Sequence, residues 1–383
     1  MNEQDIKRVV KPSTDAAQAM GWVEPAFNGV TPPIYMSSVY ERDEYGNYPG
    51  KHSYSRDQNP SFDQTEALLA RLEGAEGAML FSSGMAAATS IFEVLAPNAH
   101  VIVPSRMYFA IKMWLKRLEA QERIRLTEAD NGSLEDLEKA LQNGADLLWI
   151  ETPANPGGEI IDIKAWASAA KKAGAIVVAD NTIATPILCQ PISLGADLVM
   201  HSASKQLNGH GDLVAGALLC AKKDELWEKL QFERGYRGAV LGPMESWLLL
   251  RGMRTLHLRV KEAARNALEV ASFLKDNTAV ERVLYPGFTD HPDHDIAAKQ
   301  MSGFAYVISF FLKGGEAERL AFLRKLRVFK NASSLGGVES QVEHRARTEG
   351  SASEMAHGLL RLSIGIEDSS DLIADLQQAL ASS

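Results

Sequence analysis

Lys205 is the residue from which chemistry can start. It closes the stretch His201-Ser202-Ala203-Ser204-Lys205, which follows the apolar run Leu198 to Met200. An amine held beside hydroxyl groups can attack an aldehyde carbon and carry protons, provided burial keeps part of it uncharged. A second group, Ser82-Ser83-Gly84-Met85, follows the short apolar run ending at Phe81 and opens a helical pattern. Backbone N–H groups at a helix start, with the positive end of the helix dipole, suit an anion. Asp180 follows a third run, Ala175 to Ala179, and leads into Asn181 and Thr182. An acid there can hold a protonated ring nitrogen and turn that ring into an electron sink. Taken singly, these features have plainer uses as a helix cap, a turn and a solvated charge. Taken together they ask for one ligand carrying a phosphate, an aldehyde and a basic ring.

The elements that position these groups alternate in type. Helical spacing runs over Phe62 to Leu72, from Gly84 onward, and over Ile163 to Lys172. Between them lie the short apolar runs Ala78 to Phe81, Val101 to Val103, Leu147 to Ile150, Ala175 to Ala179 and Leu198 to Met200. That alternation predicts βαβ units and a mainly parallel sheet covered on both faces. Ligands of such sheets sit beyond the carboxyl ends of the strands, where Glu151-Thr152-Pro153-Ala154-Asn155-Pro156 also falls. A helical stretch from Trp247 to Lys275 bridges to a second domain, with a strand expected at Tyr306 to Phe311, a helix at Glu316 to Leu326 and a last helix beginning at Ser369, Ser370 and Asp371. The expected division is an arm over 1–60, a large domain over 61–255 and a small α/β domain over 256–383. The arm is rich in proline and glycine and carries Trp22, Tyr35, Tyr40, Tyr45 and Tyr48, so it is expected to lie on its own domain or on a neighbouring subunit.

Composition narrows the classes. The chain has 383 residues, 45% hydrophobic and 23% charged, which suits a globular protein of two packed domains. Its formal net charge of -9 argues against nucleic acid and anionic membranes as partners. No signal-like or membrane-spanning apolar run is apparent, and Cys189 and Cys220 read as buried thiols in a cytoplasmic setting. No dinucleotide, P-loop or nucleophile-elbow motif occurs, and His291 with His294 lacks further ligands, so no metal is expected.

Ordered blocks then match a family. They are Tyr54-Ser55-Arg56 with Asn59-Pro60; Ser82 to Ala86; Glu151 to Pro156; Asp180-Asn181-Thr182; Ser202 to Lys205 with Gly209-His210; Arg251 to Leu256; Ser334 to Ser340; and Arg361 to Glu367. The chain resembles the Cys/Met-metabolism family of enzymes dependent on pyridoxal 5'-phosphate (PLP), the cystathionine γ-synthase-like group of fold-type I, from about Thr31 to the end. That resemblance implies an aminotransferase-like α/β fold with a seven-stranded-type sheet. It implies that Lys205 binds the cofactor aldehyde and shuttles protons, that Asp180 pairs with the ring nitrogen, and that Tyr108 stacks on the ring. It further implies a phosphate cradle of Gly84, Met85, Ser202 and Ser204, to which Tyr54 and Arg56 reach from the neighbouring subunit. Asn155, Ser334 and Arg361 would contact the cofactor oxygen and the substrate carboxylate, and Tyr54 or Tyr108 would serve as acid or base. The reaction implied is γ-replacement or γ-elimination on a small amino acid, with β-elimination from cystathionine or cysteine conjugates as the alternative within the family and a non-catalytic binding protein as the alternative outside it. The assembly implied is a homo-oligomer, a dimer sharing active sites and a tetramer of two such dimers.

Several positions depart from the family pattern. Phe109-Ala110-Ile111 replaces Gly-Gly-Thr after Tyr108, and Leu335 stands where bacterial β-lyases tend to carry tryptophan. Ser53 and Ser333 occupy two positions where acids are common, which weakens the case for a substrate with an ammonium group at its far end. Arg345 and Arg347 replace part of a more usual Pro-Ala-Ser-Met-Thr-His; they read either as a solvated face or as a site for an acidic leaving group.

Overall fold

Short runs of apolar and β-branched residues bounded by polar strand ends become the larger of two sheets. In this computed structural model, which describes residues 10–50, 52–345, 347 and 358–381, the sheet comprises β1 Gly77–Phe81, β2 Ala99–Pro104, β3 Ile124–Ala129, β4 Leu147–Glu151, β5 Ile176–Asp180, β6 Leu198–His201 and β7 Gly216–Cys220. The order is β1-β7-β6-β5-β4-β2-β3. All pairings are parallel except those of β7, which runs antiparallel to β1 and β6. Strands β1, β2, β4, β6 and β7 are buried along their whole length, as a sheet covered by helices on both faces requires. The expected aminotransferase-like α/β architecture is therefore present.

Capping fixes where the covering helices start. The helix Pro60–Glu73 has proline in its first turn, Asn59 accepting from the Ser61 N–H, and Gly74 in the left-handed region as its terminator. Asp162 caps Ile163–Lys172, a helix with the bounds its spacing predicts. The Trp247 to Lys275 stretch is two helices, Pro243–Met253 and Leu256–Lys275, because Thr255 (φ -113°, ψ 8°) leaves helical geometry between them. The last helix, Ser369–Leu380, is capped one residue earlier than expected: Asp368, not Ser369, accepts from the Ser370 N–H.

The second sheet has the order β10-β11-β12-β9-β8, built from β8 Val280–Leu284, β9 Val307–Leu312, β10 Lys330–Asn331, β11 Gln341–His344 and β12 Leu359–Ser363. Helices Leu256–Lys275 and Ser369–Leu380 share its apolar core with Phe310, Phe322, Leu360 and Leu362. The two cysteines are buried and unbridged, and burial pushes the Cys189 thiol up to about 12.

Candidate active site

The carboxyl ends of β4, β5 and β6 open into a cavity of about 510 Å³, closed on the far side by the Ser333–Gln341 region between β10 and β11 of the second sheet. Its floor holds two acids. Glu151 and Asp180 stand in register at the ends of β4 and β5, so their side chains share one face of the sheet. Both are less than a tenth exposed. Burial pushes the Glu151 carboxyl up to about 8, and the neighbouring Asp180 charge adds to the rise. Burial also raises Asp180, opposed by hydrogen bonds from Thr182 and by the His201 imidazole. Glu151 accepts from the Tyr108 N–H at 2.7 Å and the Asn155 N–H at 3.1 Å, which ties the loops after β2 and β4 to one carboxylate.

Close backbone approach shapes the adjoining end. Ser83 caps the helix Gly84–Glu93 by accepting from the Ala86 N–H at 3.0 Å. A side chain on Gly84 would bring a Cβ within 2.9 Å of Ser202 Cβ and Oγ, and one on Gly216 would come within 2.1 Å of the Ser83 carbonyl oxygen. Only glycine lets β6, β7 and this helix start converge. Thr182 Oγ1 accepts from the Ser202 N–H at 2.8 Å, while the Thr182 N–H donates to Asp180 Oδ1 at 3.0 Å. Ser204 Oγ donates to the Ala215 carbonyl at 3.2 Å and accepts from the Ala215 N–H at 3.0 Å.

Opposite the floor, Lys205 Nζ donates to Ser334 Oγ at 2.6 Å. Burial lowers the Lys205 pKa, and the Arg361 charge lowers it further, against the pull of Glu343. The amine therefore spends more time uncharged than a surface lysine would, as a nucleophile or base requires. Arg361, on β12 and only 2% exposed, donates to Asn155 Oδ1 at 2.8 Å, to the Ser334 carbonyl at 2.5 Å and to Glu343 Oε2 at 2.5 Å. Arg345 is not on a solvated face: it is 5% exposed and donates to the same Glu343 oxygen at 2.9 Å. Arg347 is exposed, 3.6 Å from Glu316. Ala346, Thr348, Glu349 and Gly350, the rest of the atypical segment from Arg345 to Gly350, lie outside the described residues.

The Cys/Met metabolism PLP-dependent enzyme family matches residues 13–381. The chain belongs to that family. It is 42% identical over 360 residues to the cystathionine γ-lyase of Bacillus subtilis (strain 168), covering 92% of this chain and 94% of that one. It is 41% identical over 375 residues to the cystathionine γ-synthase of Mycobacterium bovis, with 96% of each covered. Among solved structures, cystathionine γ-synthase from Xanthomonas oryzae pv. oryzae in complex with cystathionine superposes with a TM-score of 0.94 at 38% identity, covering 97% of this chain and 98% of that one.

For a PLP-dependent enzyme of sulfur amino-acid metabolism, the cavity's chemistry fits the cofactor. Asp180 is a buried acid raised by desolvation, a cost that a cationic ring nitrogen opposite it removes. The Gly84 cradle, the helix start and the Lys205 amine lie around the same space. Of the residues singled out from sequence, Gly84, Met85, Tyr108, Asn155, Asp180, Ser202, Ser204, Lys205 and Ser334 line this one cavity. Arg361 stands behind it, joined to Asn155 and Ser334. Tyr54 and Arg56 do not line it; Tyr54 is 45% exposed on the arm, with the Arg56 guanidinium 5.6 Å from its ring centre. Glu151, Thr182 and Glu343 were missed as functional groups, although Glu151, like Asp180, ends an apolar run with an acid. Glu339 also lines the cavity, so an acid is present even though Ser53 and Ser333 are not acids.

Proposed function

We propose that this enzyme catalyses γ-replacement or γ-elimination on homoserine esters or sulfur amino acids. The observation that carries the reading is the 2.6 Å contact of Lys205 Nζ with Ser334 Oγ, backed by Arg361 on the Ser334 carbonyl. With Lys205 lining the cavity and Arg361 directly behind its Asn155 and Ser334 wall, the pair can address the α-carbon and the adjoining carboxylate of one α-amino acid. Arg361 takes the substrate carboxylate, since its fork binds two oxygens at once. Lys205, held partly neutral, takes the α-proton and returns it further along the substrate. Asp180 faces the ring nitrogen, while Gly84, Met85, Ser202 and Ser204 receive the phosphate. Tyr108, tethered through its N–H to Glu151, covers the ring. When bound, PLP supplies the aldehyde carbon that captures an amine and a cationic ring that spreads negative charge. Relatives named γ-lyase and γ-synthase match at 41–42% identity over more than nine-tenths of this chain, slightly above the 39% of relatives named cystathionine β-lyase over a similar share, which favours the γ carbon by a small margin. Leu335 in the cavity wall, in place of tryptophan, points the same way.

The working unit in this reading is a homodimer whose arms cross, with Tyr54 and Arg56 serving the neighbour's phosphate, and two dimers form a tetramer. The arm's exposure supports it: Phe27, Tyr45 and Val30 are 89%, 79% and 70% exposed in the single chain. The cytoplasm is the proposed setting, supported by two buried, unbridged thiols.

Product analysis tests the reaction. Purified protein is given O-succinylhomoserine or O-acetylhomoserine with cysteine or sulfide, and separately cystathionine, methionine or homocysteine. A new thioether or thiol amino acid without ammonia, or 2-oxobutanoate with ammonia, is expected; pyruvate as the main keto acid overturns the γ assignment in favour of β-elimination. Lys205→Ala is expected to lower kcat by about 10³-fold or more. Turnover at the parental rate would rule out the role given to this lysine.

A further inference from the structure

The two groups that address the substrate come from different domains, and one helix touches the backbone behind both. Lys205 begins a turn that follows β6, and Arg361 lies on β12. The helix Leu256–Lys275 buries Arg259 and, seven positions on, Asn266. Residues seven apart lie on the same face, about 10 Å along the axis.

Arg259 is 5% exposed and grips the turn after Lys205. Its Nη1 donates to the Gln206 carbonyl at 2.8 Å, and its Nη2 donates to the Leu207 carbonyl at 3.4 Å and the Gly252 carbonyl at 2.7 Å. Its Nε donates to Thr255 Oγ1 at 3.2 Å. Burial lowers Arg259 to about 10, which still leaves it a cation at neutral pH. None of these acceptors is a carboxylate, so the cation is held by carbonyl dipoles and the turn is fixed by the cation. The fit leaves little slack: a Cβ on Gly209 would come within 1.8 Å of Arg259 Nη1, and one on Gly252 within 2.4 Å of the Asn208 carbonyl oxygen.

Asn266 is fully buried and acts on the other domain. Its Nδ2 donates to the Gly365 carbonyl at 3.2 Å and the Glu367 carbonyl at 2.7 Å, just past the end of β12. The same loop is tied back toward the Ser334 segment, because the Gly365 N–H donates to Ser340 Oγ at 2.9 Å and Ser340 Oγ donates to Glu367 Oε2 at 2.8 Å, while the Gly336 N–H donates to Ser363 Oγ at the end of β12 at 2.9 Å.

We propose that Arg259 and Asn266 are positioning residues through which this helix sets the distance between the Lys205 amine and the Arg361 guanidinium. The proposal rests on the roles given to Lys205 and Arg361 above. Arg259 governs the amine and Asn266 governs the carboxylate fork, so their loss has different signatures. An error of about 1 Å in such placement costs on the order of 10²-fold in rate.

The test uses holoenzyme of Arg259→Met, Arg259→Lys, Asn266→Ala and, alongside, Lys205→Ala. For Arg259→Met, kcat is expected to fall by about 10- to 100-fold with KM within about threefold, and the pH midpoint of the bound cofactor's visible absorption is expected to shift. Arg259→Lys is expected to shift both readouts in the same direction by less, and it decides the matter if the methionine variant does not fold. For Asn266→Ala, KM is expected to rise by about tenfold while the absorption midpoint stays at the parental value. Equal losses in the same parameter from both sites, or parental absorption and kinetics in both, would overturn the proposal. An inactive Lys205→Ala beside a silent Arg259→Met refutes only the helix's role, whereas a fully active Lys205→Ala refutes the functional reading beneath it.

Discussion

The cavity floor and the N-terminal arm both carry groups assigned to the cofactor, but they are held in opposite ways. Glu151, Asp180 and Asn155 are each under a tenth exposed, and neighbours in the same chain satisfy them. Along the arm, Phe27, Val30, Met36 and Tyr45 are largely uncovered and Tyr54 is about half so; among the described residues the arm is held to itself by a β-bridge between Val39 and Tyr54 and by loop hydrogen bonds such as Ser55 N–H to the Ser38 carbonyl. Apolar side chains left this open gain little from the hydrophobic effect within one chain. One chain thus fixes the floor, while the proposed second copy would cover the apolar side chains that the arm leaves open.

The floor side of that contrast carries the largest expected effect. Asp180→Ala removes the acid proposed to face the ring nitrogen and leaves Thr182 and Ser202 with an altered hydrogen-bond chain. Its kcat is expected to fall by about 10²- to 10³-fold, with a weaker hold on PLP measured by equilibrium dialysis. A variant with parental affinity and rate would show that the ring nitrogen is not held there.

The arm side is broken by mixing subunits. A double variant, Tyr54→Ala with Arg56→Ala, is expected to be nearly inactive, as is Lys205→Ala. Co-expressed with different tags and purified as the hybrid, they pair so that one site carries all three changes and the other carries none. About half of the parental activity per dimer is then expected from the two-fold symmetry. A hybrid no more active than its two parents would mean that Tyr54 and Arg56 serve their own chain, and the contrast between floor and arm would lose its functional meaning.

How much of this was legible depends on whether a residue's role is local. Asp180 and Lys205 could be read directly, because Asp180 ends a continuous apolar strand, Lys205 lies in the turn just past another, and both fall at the ligand-binding end of a parallel sheet. Strand β3, Ile-Arg-Leu-Thr-Glu-Ala, hides its signal because it is an edge strand with exposed positions. Strand β7 hides differently: it is inserted antiparallel between β1 and β6, and no local pattern announces which neighbours it takes. Glu151 gains its meaning from standing in register with Asp180, and register is a tertiary fact. The arginines after β11 were ambiguous because charge usually means solvent. Glu343 and Arg345 are opposite charges two residues apart, and that was the available sign that Arg345 turns inward to an acid, although β11 ends at His344 between them.

The smallest expected effect sharpens the floor's dependence on its ligand. Glu151 has an ordinary value of 4.5 and is raised to about 8 in the folded chain. The folded state thus keeps a proton that the unfolded chain sheds, so this group's contribution to stability is full below pH 4.5 and is lost as pH rises to about 8. Glu151→Gln carries no such proton and can still accept from the Tyr108 N–H. Between pH 5 and pH 8 the cofactor-free parent is therefore expected to lose melting temperature faster than the variant, by about 2 °C or more across the interval. Added PLP brings a cationic ring beside Asp180 and, through it, favours the charged form of Glu151, so the gap between parent and variant should shrink in the holoenzyme. Among its described residues the arm has no equivalent buried acid, and its variants should melt in parallel with the parent at every pH. A gap that stays constant from pH 5 to pH 8 without cofactor would mean that Glu151 is already ionised in the folded chain, and the floor would then be a settled ion site instead of one awaiting a cation.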